Sequence, residues 1–177
     1  LGLAHARQKI APTLRALRHA DGALARFHGG GRGLDGWLDA ALSGSGSRER
    51  PGSGLAMGYA HIMAGRTSII VDAAPPPLGP ASARAHASTL AMELTSGRRP
   101  LVVNCGSGAS FGEEWRRAGR ATPSHSTLSL EGYSSSRLAA PQRLGSRTAE
   151  MLADVPDQVP FETHRTPDSQ KVEIAHN

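Results

Sequence analysis

His86, Asn104 and His125 sit in three short runs where polar residues are set among β-forming ones. These runs are Ala85-His86-Ala87-Ser88-Thr89-Leu90-Ala91-Met92-Glu93-Leu94, Val102-Val103-Asn104-Cys105-Gly106 and Pro123-Ser124-His125-Ser126-Thr127-Leu128. Imidazoles transfer protons near neutral pH. The 8 histidines are scattered along the chain, so a site built from them has to be assembled across several strands. No Gly-rich phosphate loop, CxxC pair, HExxH or nucleophile elbow is present, and Gly29-Gly30-Gly31 lacks a preceding strand and a following Lys-Ser/Thr. Nucleotide hydrolysis, dithiol chemistry and serine hydrolysis therefore lose their usual sequence support.

The elements that must position these residues are short. With 177 residues, 38% hydrophobic and 4% aromatic, the chain can form one ordinary domain with a modest core. Apolar residues Ile10, Leu14 and Leu17 recur at helical spacing from Ile10 to Arg18, with Pro12 acceptable in a first turn and Asp21-Gly22 as the stop. Leu34, Leu38, Ala41 and Leu42 repeat the helical pattern. Residues 43–54, rich in Ser, Gly and charge, read as a connection between units.

Beyond it the spacing turns to β. Runs at Leu55–Ile62, Thr67–Asp72, Ser88–Thr95, Leu101–Asn104 and Ser126–Glu131 are each bounded by turn residues. Leu90, Met92 and Leu94 alternate with Thr89, Ala91 and Glu93, which predicts a half-buried antiparallel strand with Glu93 on the solvated side. Ser96-Gly97 turns it back, so Leu101-Val102-Val103 pairs with it as a hairpin. The expected fold is mainly β, an incomplete antiparallel sandwich preceded by short helices. The polar tail from Ser134 to Gln170 has helical potential only near Arg147–Ala153.

Net charge is +5 and the pI is about 10.3, with Lys9 and Lys171 the only lysines. Such a balance attracts acidic polysaccharide, nucleic acid or a membrane surface, and it also follows from an Ala/Gly/Arg-rich composition without any partner. Sparse aromatics argue against single-strand nucleic-acid binding, and no apolar run is long enough for a membrane span. The single cysteine, Cys105, excludes an intrachain disulfide and is expected as a small buried residue. Arg98-Arg99 and Arg116-Arg117 would suit an acidic glycan, although a turn and a helix surface explain them equally.

The succession AHASTLAMELTSGRRPLVVNCG and ATPSHSTLSLEG resembles the β-sandwich entry of heparinase II/III-like polysaccharide lyases. The earlier RHADGALARFHGGG is similar to the close of their helical toroid, and GRTSIIVDAAPPP to their first sandwich strands. The likeness extends to about Leu138. It implies residues 1–42 as the end of an (α/α) toroid, 43–54 as linker and 55–177 as a truncated sandwich domain. A Leu at the first position and an unfinished strand at the last fit an internal piece of a longer protein.

The resemblance also implies β-elimination on a uronate polymer, in which a donor neutralises the carboxylate while a base removes the C5 proton. His86 and His125 match two histidines that, with an acidic position here held by Asn104, bind zinc in lyases that keep the pattern. A neutral amide is a poor zinc ligand. Arg84 stands where a catalytic histidine is expected; a guanidinium can neutralise a carboxylate but cannot transfer a proton. The implied substrate-facing set is therefore Arg84, His86 and His125, with His86 and Arg84 as catalytic candidates and His86, Asn104 and His125 as metal candidates. The chemistry itself requires no cofactor. A non-catalytic carbohydrate-binding or structural sandwich stays open beside the lyase. The implied setting is the periplasm or cell envelope, with acidic polysaccharide and the protein's own toroid as partners.

Overall fold

The computed structural model describes residues 2–48 and 54–177. Helix α1 spans Leu3–Ala16 and α2 spans Trp37–Gly44. The first helix therefore begins earlier than its apolar spacing predicts, and Pro12 lies inside it. There it forfeits the hydrogen bond to the Gln8 carbonyl and crowds that carbonyl with its ring. The chain then reverses at Asp21-Gly22, where Gly22 takes φ +90° and the Asp21 carboxylate accepts the Ala23 N–H at 2.9 Å. Of the predicted connection at 43–54, the first two residues close α2, and residues 49–53 lie outside the described residues.

A four-stranded antiparallel sheet follows in the order β1-β2-β3-β4, with β1 at Tyr59–Ala64, β2 at Thr67–Asp72, β3 at Met92–Ser96 and β4 at Arg99–Val102. Pairing Ile70 with His61 and Glu93 places these three on one face, with Tyr59, Ser68, Asp72 and Thr95. Ala60, Ile69, Val71, Met92 and Leu94 occupy the other. The first face is closed by the N-terminal segment, where Phe27 packs on Ile70 and Ala91 with Leu17, Ala25 and Tyr59 around them. The second is covered by a hairpin of β9 (Phe161–Arg165) and β10 (Gln170–Ile174), whose Phe161 and Ile174 pack on Ala60, Val71 and Ala73. Layers on both faces of the sheet give the β-sandwich expected from the sequence.

Three expectations are corrected. Glu93 is buried, at 1% exposure, whereas Met92 on the supposedly apolar face is 40% exposed. The strand alternates as predicted, but the covering segment packs on the polar side. Ser126–Glu131 forms no strand: Leu128 and Leu130 are exposed, and only an isolated bridge joins Leu130 to Tyr133. The stretch Arg147–Ala153 is not helical. A hairpin of β6 (Gln142–Leu144) and β7 (Arg147–Ala149) turns at Gly145, φ +62°, and β8 (Leu152–Ala153) pairs with β5 (Arg137–Leu138). A glycine with positive φ opening a two-residue turn outweighs the alanine content. Helix α3 (Glu113–Ala118) lies between these parts. Among the described residues no helix is long and apolar enough to cross a membrane.

Candidate functional site

Glu93 is the anchor of the buried polar cluster. Its Oε1 accepts the backbone N–H groups of Arg26 and Asn104, each at 3.0 Å, and its Oε2 faces His19 Nε2 at 3.0 Å. Burial alone would raise its pKa; the hydrogen bonds from His19, Asn104 and Arg26 outweigh that and hold the carboxyl below its ordinary value. One carboxylate thus ties the N-terminal segment to both β3 and the end of β4.

Asn104 continues the chain of contacts. Its Nδ2 donates toward Glu93 Oε1 at 3.4 Å, which turns Oδ1 the other way to accept the Ser126 N–H at 3.1 Å. His125 Nδ1 lies 3.3 Å from the same Oδ1, so it carries the proton. His125 Nε2 is then an acceptor, and the nitrogen 3.2 Å away, His86 Nδ1, must donate to it. This accounting leaves His86 Nε2 as a bare lone pair. It lies against Gly29, where a Cβ would come within 2.8 Å of it. Gly29 holds φ +76°, so both its conformation and its missing side chain are needed there.

The other end of the cluster runs through His28, which adopts the left-handed conformation at φ 49°. Its Nδ1 accepts the His86 backbone N–H at 3.0 Å, and its Nε2 lies 3.5 Å from Asp72 Oδ2. That carboxylate also accepts the Ser88 hydroxyl at 2.8 Å. Burial pushes Asp72 up to about 7 despite hydrogen bonds from Ser88 and the Ala74 backbone. Burial, together with the neighbouring His125, His28 and Arg120, pushes His86 down to about 3; burial and His28 push His125 down to about 4. Both imidazoles are therefore neutral at neutral pH.

The structure brings His86, Asn104 and His125 together and leaves Arg84 apart, exposed at the end of a 3-10 turn. Cys105, expected to be buried, is exposed, its thiol turned toward the Gly106 and Gly119 carbonyls. For a metal, the three candidate ligands do not converge: Asn104 meets His125 at Nδ1, and His86 meets it at Nε2, the opposite ring nitrogen. The amide oxygen is already occupied by two donors. A tetrahedral zinc site needs ligand atoms directed at one point, which this donor set does not supply. Glu93, Asp72, His28 and His19 were not singled out as site residues from the sequence. Only the Gly-rich stretch after His28 hinted at an unusual backbone there.

The comparisons agree with this architecture. The family model described as heparinase II/III-like, C-terminal, matches residues 46–177. FtsZ-localized protein C of Caulobacter vibrioides (strain NA1000 / CB15N) is 31% identical over 105 residues, covering 59% of this chain and 18% of that protein. The chain thus spans less than a fifth of the length of this curated relative. No solved structure matches the chain. With three quarters of the chain inside the family model and an antiparallel β architecture to go with it, the chain belongs to the heparinase II/III-like family and carries that family's C-terminal domain.

Proposed function

We propose that this chain is the glycan-facing β-domain of a protein directed at an acidic, uronate-containing polysaccharide, and that it holds the polymer without supplying the acid or base of an elimination. The observation that carries this reading is the burial of His86 and His125, at 4% and 8% exposure, with His125 and His86 Nδ1 engaged in one hydrogen-bonded chain to Asn104. A proton-transfer group has to reach the C5 hydrogen of the sugar. Arg84 is exposed and remains available to pair with a carboxylate.

A second reading is favoured by the family itself: the parent cleaves by β-elimination, with acid and base on an upstream toroid and this domain as the opposite wall of the cleft. Neither reading places a metal on His86, Asn104 and His125. The cell envelope is the proposed setting, and the similarity to a protein named for its localisation with FtsZ supports a place alongside FtsZ.

The test is ultraviolet absorbance of unsaturated uronate after mixing the full-length parent with a panel of acidic polysaccharides, alongside equilibrium binding to the same panel. Binding without a rise in absorbance is expected. A rise would replace the first reading with the second, and no binding to any acidic polymer would sink both.

A further inference from the structure

A cavity of about 450 Å³ lies between the end of α3, the loop leading into β5, and β8. Arg117, Arg120 and Arg137 line it, and no acidic residue does. Tyr133 stands at its side, 69% exposed. Ser136 completes the lining; it is 4% exposed and its buried hydroxyl has no hydrogen-bond partner.

The walls are held in place by the fold. Arg120 is 2% exposed and donates to the backbone carbonyls of Ala85 at 2.8 Å, Glu150 at 2.9 Å and Ser82 at 3.0 Å. All three acceptors are neutral, so its charge is not cancelled by a carboxylate within ion-pair distance. The Glu150 carboxylate instead faces Arg116 and Arg117. Thr122 fixes the loop, accepting the Ser135 N–H at 2.9 Å. Arg137 has only a loose partner, Asp154 at 3.8 Å, and its side chain is 74% exposed, so it can swing onto a ligand at little cost.

We propose that this cavity binds one acidic sugar unit of an anionic glycan, with the sugar carboxylate held by Arg137 over the fixed charge of Arg120 and the sugar ring laid against Tyr133. The arginines select an oxyanion, and the exposed aromatic ring beside them selects an oxyanion that carries an apolar ring face. The choice of a sugar rests on the glycan reading given above; the anion site itself does not.

The test is isothermal titration of the full-length parent with a glucuronate-containing oligosaccharide, free glucuronate, a neutral glucose oligosaccharide and inorganic phosphate. Arg137→Ala and Tyr133→Ala are the variants, since both side chains are exposed and the fold does not depend on them. Both acidic sugars should bind, Arg137→Ala weakening them about tenfold and Tyr133→Ala severalfold, with the neutral oligosaccharide not bound. Unchanged acidic-sugar binding in both variants would overturn the proposal while leaving the glycan reading intact. Free glucuronate bound through Arg137, with no polymer held, would keep the cavity and remove the wider reading. Phosphate bound as tightly as glucuronate and indifferent to Tyr133→Ala, or no acidic sugar bound at all, would overturn the sugar assignment.

Discussion

His86 Nδ1 lies 3.2 Å from His125 Nε2, and the proton between them belongs to His86 because Asn104 already fixes the tautomer of His125. The assignment starts from the Glu93 carboxylate and travels outward one hydrogen bond at a time. Each member can be disturbed separately, with a different consequence.

Acid should destabilise the protein from about pH 6.5 downward. His86 and His125 have folded pKa values of about 3 and about 4, below the ordinary 6.5 of an unfolded histidine. The unfolded chain therefore binds more protons in that window, and the stability these two residues contribute, complete above 6.5, is lost as the pH falls toward 3. Asp72 acts in the opposite sense: with a folded value of about 7 against 3.8, it costs stability as the pH rises between the two. Urea titrations across pH should give a net fall toward acid, steeper in Asp72→Asn, where the opposing group is gone. An acid limb unchanged by Asp72→Asn would mean that its carboxyl does not titrate in that range.

Asn104→Asp places an acid at the position where the family resemblance implies one. Asn104 Nδ2 faces Glu93 Oε1 at 3.4 Å, so the substitution sets two carboxylates against each other in a buried place. A loss of about 1–3 kcal/mol at neutral pH is expected, partly recovered near pH 5 as one carboxyl takes up a proton. Zinc or a chelator should leave the melting temperature of the natural protein unchanged. A zinc-dependent rise that is lost in His86→Ala and kept in His164→Ala would show that His86 and His125 reorganise around a metal, since Glu162, His164 and Glu173 form a separate exposed group able to hold one.

Glu93→Gln keeps the shape and removes the charge that His19, Arg26 and Asn104 all address. Its amide oxygen can still accept the Arg26 and Asn104 N–H groups, but its NH2 then faces His19 Nε2, which loses its carboxylate partner. Chemical denaturation should record a loss of about 2–4 kcal/mol, far above the cost of changing a solvated strand residue. A loss under about 0.5 kcal/mol would return Glu93 to the surface role that its alternation pattern suggested.

Gly29→Ala meets two obstacles, φ +76° and the His86 ring nitrogen 2.8 Å from the new methyl. We expect a loss of about 1–3 kcal/mol together with displacement of the His86 ring, visible as a shift of its imidazole resonances. Gly31→Ala, where a Cβ meets nothing within 4 Å, serves as the control and should be nearly neutral.

Much of the sheet was legible because it depends on neighbours in sequence. Thr67–Asp72 forms the predicted strand over the same residues, and the Ser96-Gly97 turn leads back into β4 with Gly97 at φ +59°. His86, Asn104 and His125 also meet, as their resemblance to a familiar pattern implied. The tail was opaque for the converse reason. Its hairpins rest on pairings such as β5 with β8, whose partners no local pattern announces.

By itself the sequence determined the β alternation, the turns and the spacing of the polar runs, since these follow from side-chain period and backbone preference over a few residues. Alternation says which residues share a face but not what covers each face. That was decided by residues 17–29 folding over one face from some 70 positions away, which buried Glu93, while the β9–β10 hairpin covers the other face and leaves Met92 40% exposed. Only the tertiary structure could set that choice, because burying a carboxylate becomes affordable once distant donors arrive to meet it.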